Sequence, residues 1–296
     1  MLASQLRSAV SASMERALGG SPDLLEEYKT PLGDPGLFGP GSPVWQVHAD
    51  LPAMLIGGIA SLMFQTLHPL AMIGVAEHSN YRDDPFGRLK RTARFVGGTT
   101  YGSRPFVEQL VGEVKRVHTR VRGVAPDGRP YEAGDPALLT WVHTVEVWCF
   151  LRAYQRYSNR PLLRVEKDRY LDEMSEVAVL LGARDVPRSV NEVRTYLREV
   201  RRELVVTPQA LEAVRFLRAT PLSGPKPAEV IAHRIVSNAA IEELPSYARR
   251  ELGLPRPGPI SRAHARAAAA TFGVVLRWAI GPSAVLATAT DRALAG

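Results

Sequence analysis

Residues 51–76 read LPAMLIGGIASLMFQTLHPLAMIGVA, with no residue of fixed charge. Uncharged sequence of this length could span a bilayer. Gly57-Gly58, Gln65, Thr66, His68 and Pro69 interrupt it, however, and several of these are polar groups that lipid would leave unsatisfied. The stretch is therefore read as the buried central helix of a large α-domain, running from near Pro52 to about Leu67. It breaks at His68-Pro69, because proline disfavours helical geometry in the residue before it.

The run passes directly into HPLAMIGVAEHSNYRDDPFGRLKRTARFVGGTTYG, residues 68–102, which holds His68, Glu77 and His78 and then a burst of basic residues. Asn80 to Pro85 reads as a polar turn, and Asp84-Pro85 as a helix start with proline in the first turn. On the helix that follows, Arg88, Arg91 and Thr92 share a face at spacings of three and four. Gly97-Gly98 and Gly102 loosen or end it. Ionisable groups beside so much apolar sequence are either paired structural polars or parts of a site.

The flanks extend the helical pattern. Residues 4–18 are amphipathic, with Leu6, Val10, Met14 and Leu18 near one face. A Pro- and Gly-rich loop covers 30–43, and 106–118 is again amphipathic. In the connector GVAPDGRPYEAGDP, Pro126-Asp127-Gly128 suits a tight turn or hairpin. Asp135-Pro136 then opens ALLTWVHTVEVWCFLRAYQRY. There Leu139, His143, Glu146, Phe150, Ala153 and Tyr157 form one stripe, so a histidine and a glutamate lie on a largely apolar face. Further helices are expected over 167–181, 189–204, 207–219, 228–241, 261–278 and 283–294, with loops at 221–227 and 254–259. No alternating run is long enough for a sizeable sheet. The expected fold is mostly α, a single large multi-helix domain over residues 1–296.

The composition fits a folded chain of 296 residues, 45% hydrophobic and 23% charged. The net charge of +7 is carried almost wholly by arginine, since only Lys29, Lys90, Lys115, Lys167 and Lys226 are lysines. Those arginines are spread along many helices rather than gathered with aromatics, which argues against nucleic acid as a partner. The lone Cys149 excludes an intrachain disulfide, multi-thiolate zinc sites and iron–sulfur clusters. With no basic n-region before an apolar core at the N-terminus, a cytoplasmic location is expected. Peripheral membrane contact stays open, because Ala267–Thr290 is apolar apart from Arg277.

Standard catalytic patterns are missing: no phosphate loop, no G-x-G-x-x-G, no H-E-x-x-H and no G-x-S-x-G. A di-iron bundle would want Glu-x-x-His on two helices, and the chain offers only the reverse order, His143-x-x-Glu146. Histidine on apolar helices near arginines suits a haem, which needs an axial imidazole, an apolar slot and cations for its propionates. Spacing alone leaves two readings of His143, an iron ligand or a satisfied core residue. His68 is the other candidate ligand, though its proline neighbour points to a structural kink.

The segment at 68–102 followed by VRGVAPDGRPYEAGDPALLTWVHTVEVWCFLRAY resembles the oxygenase family that includes MpaB and the catalytic domain of rubber oxygenase (latex clearing protein). The resemblance covers roughly residues 40–250. It implies a mostly α-helical fold, a b-type haem, and dioxygen chemistry on an apolar, unsaturated small molecule. In its terms His143 matches the proximal iron ligand, and Arg88 and Thr92 match haem-pocket positions. Glu77 and Arg91 are the candidate catalytic residues; from its setting beside apolar sequence Glu77 reads either as an acid/base whose pKa burial would raise or as the partner of a nearby arginine. Arg91 stands where the rubber-cleaving branch has an iron-capping lysine. Arginine is almost never neutral and so ligates iron poorly. The resemblance therefore implies an open, water-bound or differently capped distal site and argues against polyisoprene as substrate. The contrasting expectation is a non-catalytic α-helical protein that binds haem or lipid without turnover.

Overall fold

The computed structural model describes Arg7, Val10 and residues 25–295 other than 222, 223 and 225. The amphipathic helix expected over 4–18 lies outside the described residues, apart from Arg7 and Val10. The first elements are α1 (Pro43–His48), α2 (Leu51–Gln65), α3 (Pro69–His78), α4 (Pro85–Tyr101) and α5 (Arg104–His118). A hairpin follows, β1 (Arg122–Val124) with β2 (Pro130–Glu132), paired antiparallel with Gly123 opposite Tyr131. Then come α6 (Pro136–Tyr157), α7 (Arg164–Leu181), α8 (Val190–Glu199) and a 3-10 turn at Val200–Glu203. The chain closes with α9 (Pro208–Ala219), α10 (Pro227–Glu243), α11 (Ser246–Glu251), α12 (Pro259–Ile280) and α13 (Ala284–Leu294). The protein is all-α apart from that hairpin among the described residues.

Proline punctuates this fold rather than disrupting it. Nine of the thirteen described helices carry proline at the first or second helical position, where the missing N–H would have had no intrahelical partner. Asp50, Asp84 and Asp135 cap α2, α4 and α6 by accepting backbone N–H bonds from their first turns. The unexpected helices α1 and α11 span six residues each, too short to show a periodicity. The helix expected over 189–204 tightens to 3-10 geometry after Glu199.

None of the fifteen residues of α2 is exposed. It packs on α6 above all, and on α10, α12, α9 and α1. Trp141 Nε1 donates to the Gln65 carbonyl and Gln65 Nε2 to the Val142 carbonyl. Near the other end Gly57 meets Phe150, so α2 and α6 run antiparallel. A Cβ on Gly57 would lie 2.8 Å from Phe150 Cα and 2.9 Å from the Cys149 carbonyl oxygen. The two backbones touch there, which only glycine permits. His68 then caps α3, which turns away at 104° from α2.

Arg277 of α12 locks this arrangement from outside. Its guanidinium grips both Asp50 carboxylate oxygens at 2.8 and 2.9 Å and donates to the Tyr157 carbonyl at 2.7 Å. One side chain therefore joins the start of α2, the end of α6 and the last turn of α12, and it uses the bidentate geometry that favours arginine. No single described helix is long and apolar enough to cross a membrane; two bent pairs, α2 with α3 and α12 with α13, meet that test by length and composition.

Neighbouring glycines give opposite expectations. Gly57→Ala drives a methyl group into backbone and should destabilise by about 2–3 kcal/mol. A Cβ on Gly58 meets only Phe150 Cε1, at 3.7 Å. Gly58→Ala should therefore be neutral or stabilising by up to about 1 kcal/mol, from helix propensity. Denaturant midpoints of the two variants check this, and equal effects would refute the close crossing.

Candidate functional site

The stripe predicted on α6 faces inward. Leu139, His143, Phe150, Ala153 and Tyr157 are buried, while Glu146 is half-buried. His143 sits two turns into a helix whose flanking positions are apolar. Its Nε2 is buried without a hydrogen-bond partner. Desolvation lowers its pKa to about 4, so the ring is neutral at pH 7. One turn further, burial raises the Glu146 carboxyl to about 7, and no ion pair or hydrogen bond engages it among the described residues.

Beside this stripe lies a polar chain that sequence reasoning missed. His48 of α1 stands edge-on to the Phe150 ring, with centroids 5.5 Å apart. Its Nδ1 is 2.7 Å from Thr100 Oγ1 and its Nε2 is 3.2 Å from the Tyr170 hydroxyl. Thr100 already donates to the Val96 carbonyl. His48 must therefore donate from Nδ1 and accept from Tyr170 at Nε2. Burial holds the His48 pKa down to about 3 and pushes the Tyr170 phenol well above its usual range, which keeps both groups neutral. The chain ties α1, α4 and α7 to the α6 stripe. No sequence signal marked it, because its members lie far apart and in no motif.

The residues singled out on α3 and α4 divide. Arg88 is half-buried, with its guanidinium 5.9 Å from the centroid of the Tyr81 ring, and no carboxylate pairs with it among the described residues. Burial lowers its pKa, with Arg91 adding in the same direction and Tyr81 opposing. Arg91 points outward, 68% exposed, and pairs with Asp84 at 3.3 Å. Thr92 is exposed. Glu77 is exposed too, which corrects the expectation of a buried carboxyl. Its Oε2 accepts from the Tyr131 hydroxyl at 2.5 Å, and His78 Nε2 lies 3.1 Å from the same hydroxyl. The hairpin thus closes on the last turn of α3 through Tyr131. His68 is buried but serves as a helix cap, with Nδ1 facing the Ala71 N–H.

The arrangement tests for haem on its own chemistry. An axial ligand must be a neutral imidazole with a free nitrogen, and His143 is neutral, buried and unpartnered at Nε2. A propionate partner must be a cation not already paired, and Arg88 meets that. Among the described residues no group of three or more His, Cys, Asp or Glu side chains could hold a bare metal ion. A lone histidine suits a metal that brings its other ligands with it.

Glu146 allows a pH test. A carboxyl whose pKa is raised on folding favours the native state while protonated. Its contribution is full below the unfolded value near 4.3 and is lost as pH rises toward 7. Glu146→Gln should therefore raise the melting temperature by about 5 °C at pH 8 and leave it nearly unchanged at pH 4. Melting curves at both values decide it, and a pH-independent difference would rule the assignment out. His143 opposes in sign, losing stability as pH falls from 6.5 toward 4, but it is common to both proteins.

Residues 45–278 match the family described as ER-bound oxygenase mpaB/B'/Rubber oxygenase, catalytic domain. The match runs past the roughly 40–250 expected from the motifs and takes in most of α12. No curated protein and no solved structure matches the chain.

Proposed function

The chain belongs to the mpaB/rubber oxygenase catalytic-domain family, and on that premise we propose that it is a haem b-dependent oxygenase acting on an apolar, unsaturated small molecule. The observation that carries the reading is the buried, unpartnered Nε2 of neutral His143. Left alone, that nitrogen is a desolvated polar atom without a partner, a cost of about 1–3 kcal/mol. An iron atom would remove it.

In this reading His143 holds the iron and the apolar residues around it keep water from the ring. Arg88 pairs with a propionate, because its charge is half-buried without a carboxylate. The haem, when bound, supplies the dioxygen chemistry, while the protein sets ligation, access and polarity. Glu146 lies on the His143 face and, with a carboxyl raised to about 7, carries a proton near neutral pH. Thr92, exposed on α4, is assigned in this reading to the rim of the haem site. Arg91 and Glu77 are reached from solvent, so any part they take is at the entrance, where Arg91 steers and Glu77 with Tyr131 exchanges protons with water. We place the protein in the cytoplasm and assign any peripheral membrane contact to its apolar C-terminal helices, of which α12 exposes Val274 and Trp278.

The absorption spectrum of purified protein tests this. A Soret band is expected in the wild type and should vanish in His143→Ala. Arg88→Ala should keep the band but release haem to an acceptor protein roughly 5–10-fold faster, as expected for loss of one charge-assisted pair. Colourless protein that ignores added haemin would sink the proposal. Oxygen consumption with isoprenoid and fatty-acid substrates separates an oxygenase from a haem or lipid carrier.

A further inference from the structure

Arg152 lies nine residues after His143, about two and a half helical turns, and so occupies the opposite face of α6. That back face borders a cleft of about 370 Å3 closed by α7, α8 and the end of α10. Trp148 and Leu151 supply its apolar wall, and four cations converge on it: Arg152, Arg156, Lys167 and Arg194. A second cleft of about 470 Å3 adjoins it through Arg194 and adds Arg198.

The pairing of these charges is unequal. Glu243, fully buried, holds Arg156 at 2.6 Å and Arg152 at 3.4 Å, and Glu242 reaches Arg156 at 3.9 Å. Lys167 and Arg194 have no hydrogen bond or ion pair through their side chains among the described residues. The two carboxylates that flank Lys167 in sequence, Glu166 and Asp168, accept from the Leu163 and Val190 N–H groups. Gln155 Nε2, on the same wall, is a buried donor with no acceptor. Half-buried Lys167 and exposed Arg194 thus line one cleft without a carboxylate partner and leave positive potential there.

We infer that this cleft is a binding site for an oxyanion, a carboxylate or phosphate borne by an organic ligand. Lys167 and Arg194 take the anion from two sides. Arg152 and Arg156, fixed by Glu243, add field without moving. Trp148, with Arg152 6.0 Å from its ring centroid, offers the flat surface against which the organic part lies. The site is separate from the His143 face and does not depend on what His143 binds.

Calorimetric titration of the full chain with hexyl phosphate, octanoate and inorganic phosphate at low salt tests the inference. Saturable binding at one site is expected. Lys167→Ala/Arg194→Ala should weaken it at least about tenfold while keeping the melting temperature, since neither side chain is paired in the fold. Should the double variant lose its unfolding transition, Lys167→Gln alone gives the same reading at about threefold. Hexyl phosphate or octanoate binding more tightly than inorganic phosphate identifies an amphiphile, and equal affinities of the two phosphates identify the free anion. No saturation with any probe, or an affinity unchanged in the variants, overturns the site.

Discussion

The contact between α2 and α6 at Gly57 sets the geometry of the rest of the molecule. Where a Cβ would stand 2.8 Å from Phe150 Cα, the two axes come as close as backbones allow. Everything on α6 is then positioned relative to an uncharged, fully enclosed partner. The inward stripe is enclosed also by α1 and α7, through His48 on Phe150, Tyr170 on His48 and Ala178 on Leu139, while the outer flank of α6 borders the cleft lined from α7, α8 and α10. Arg277 fixes the pair at one end through Asp50 and the Tyr157 carbonyl. A buried ion pair of this kind adds little net stability over apolar packing. Its effect is to specify which ends of three helices meet.

Burial also explains the chemistry along α6. Desolvation drives His143 and Glu146 in opposite pKa directions, to about 4 and about 7, and both shifts favour the neutral form. Their neighbourhood adds neutral groups as well, His48, Thr100 and Tyr170, joined by hydrogen bonds rather than charges. The inward side of α6 is thus polar without being charged. The outer side is the reverse, with arginines, a lysine and Glu243 in a cleft open to water. One helix separates two environments that suit different ligands, an uncharged apolar one and an anionic one.

Arginine, which dominates the positive charge, has several distinct uses. Arg277, Arg152 and Arg156 hold carboxylates on partly buried surfaces. Arg292 is almost fully buried and donates to the Asp34 and Tyr28 carbonyls. Arg91 makes only an exposed pair with Asp84, of a kind that contributes little. Arg88, Lys167 and Arg194 are left without carboxylates, and they, rather than the net charge, are the cations available to an anionic group.

From its residues alone the chain declared an all-α architecture, the long helix that carries His143, the break at His68-Pro69 and the turn at Pro126–Gly128. Hydrophobic period and proline placement are local properties, so pattern suffices for them. The ordered motifs at 68–102 and 121–154 also identified the family. What pattern could not show was which neighbour each side chain would meet. Glu77 and Arg91 look internal beside an apolar run, yet they face solvent, because α3 turns 104° away from α2 and the first half of α4 has no buried residue. The His48–Thr100–Tyr170 chain and the basic cleft behind α6 each join residues from separate helices, and only the packing of those helices brings them together. Period along a chain fixes the face on which a residue lies, whereas what covers that face depends on segments distant in sequence.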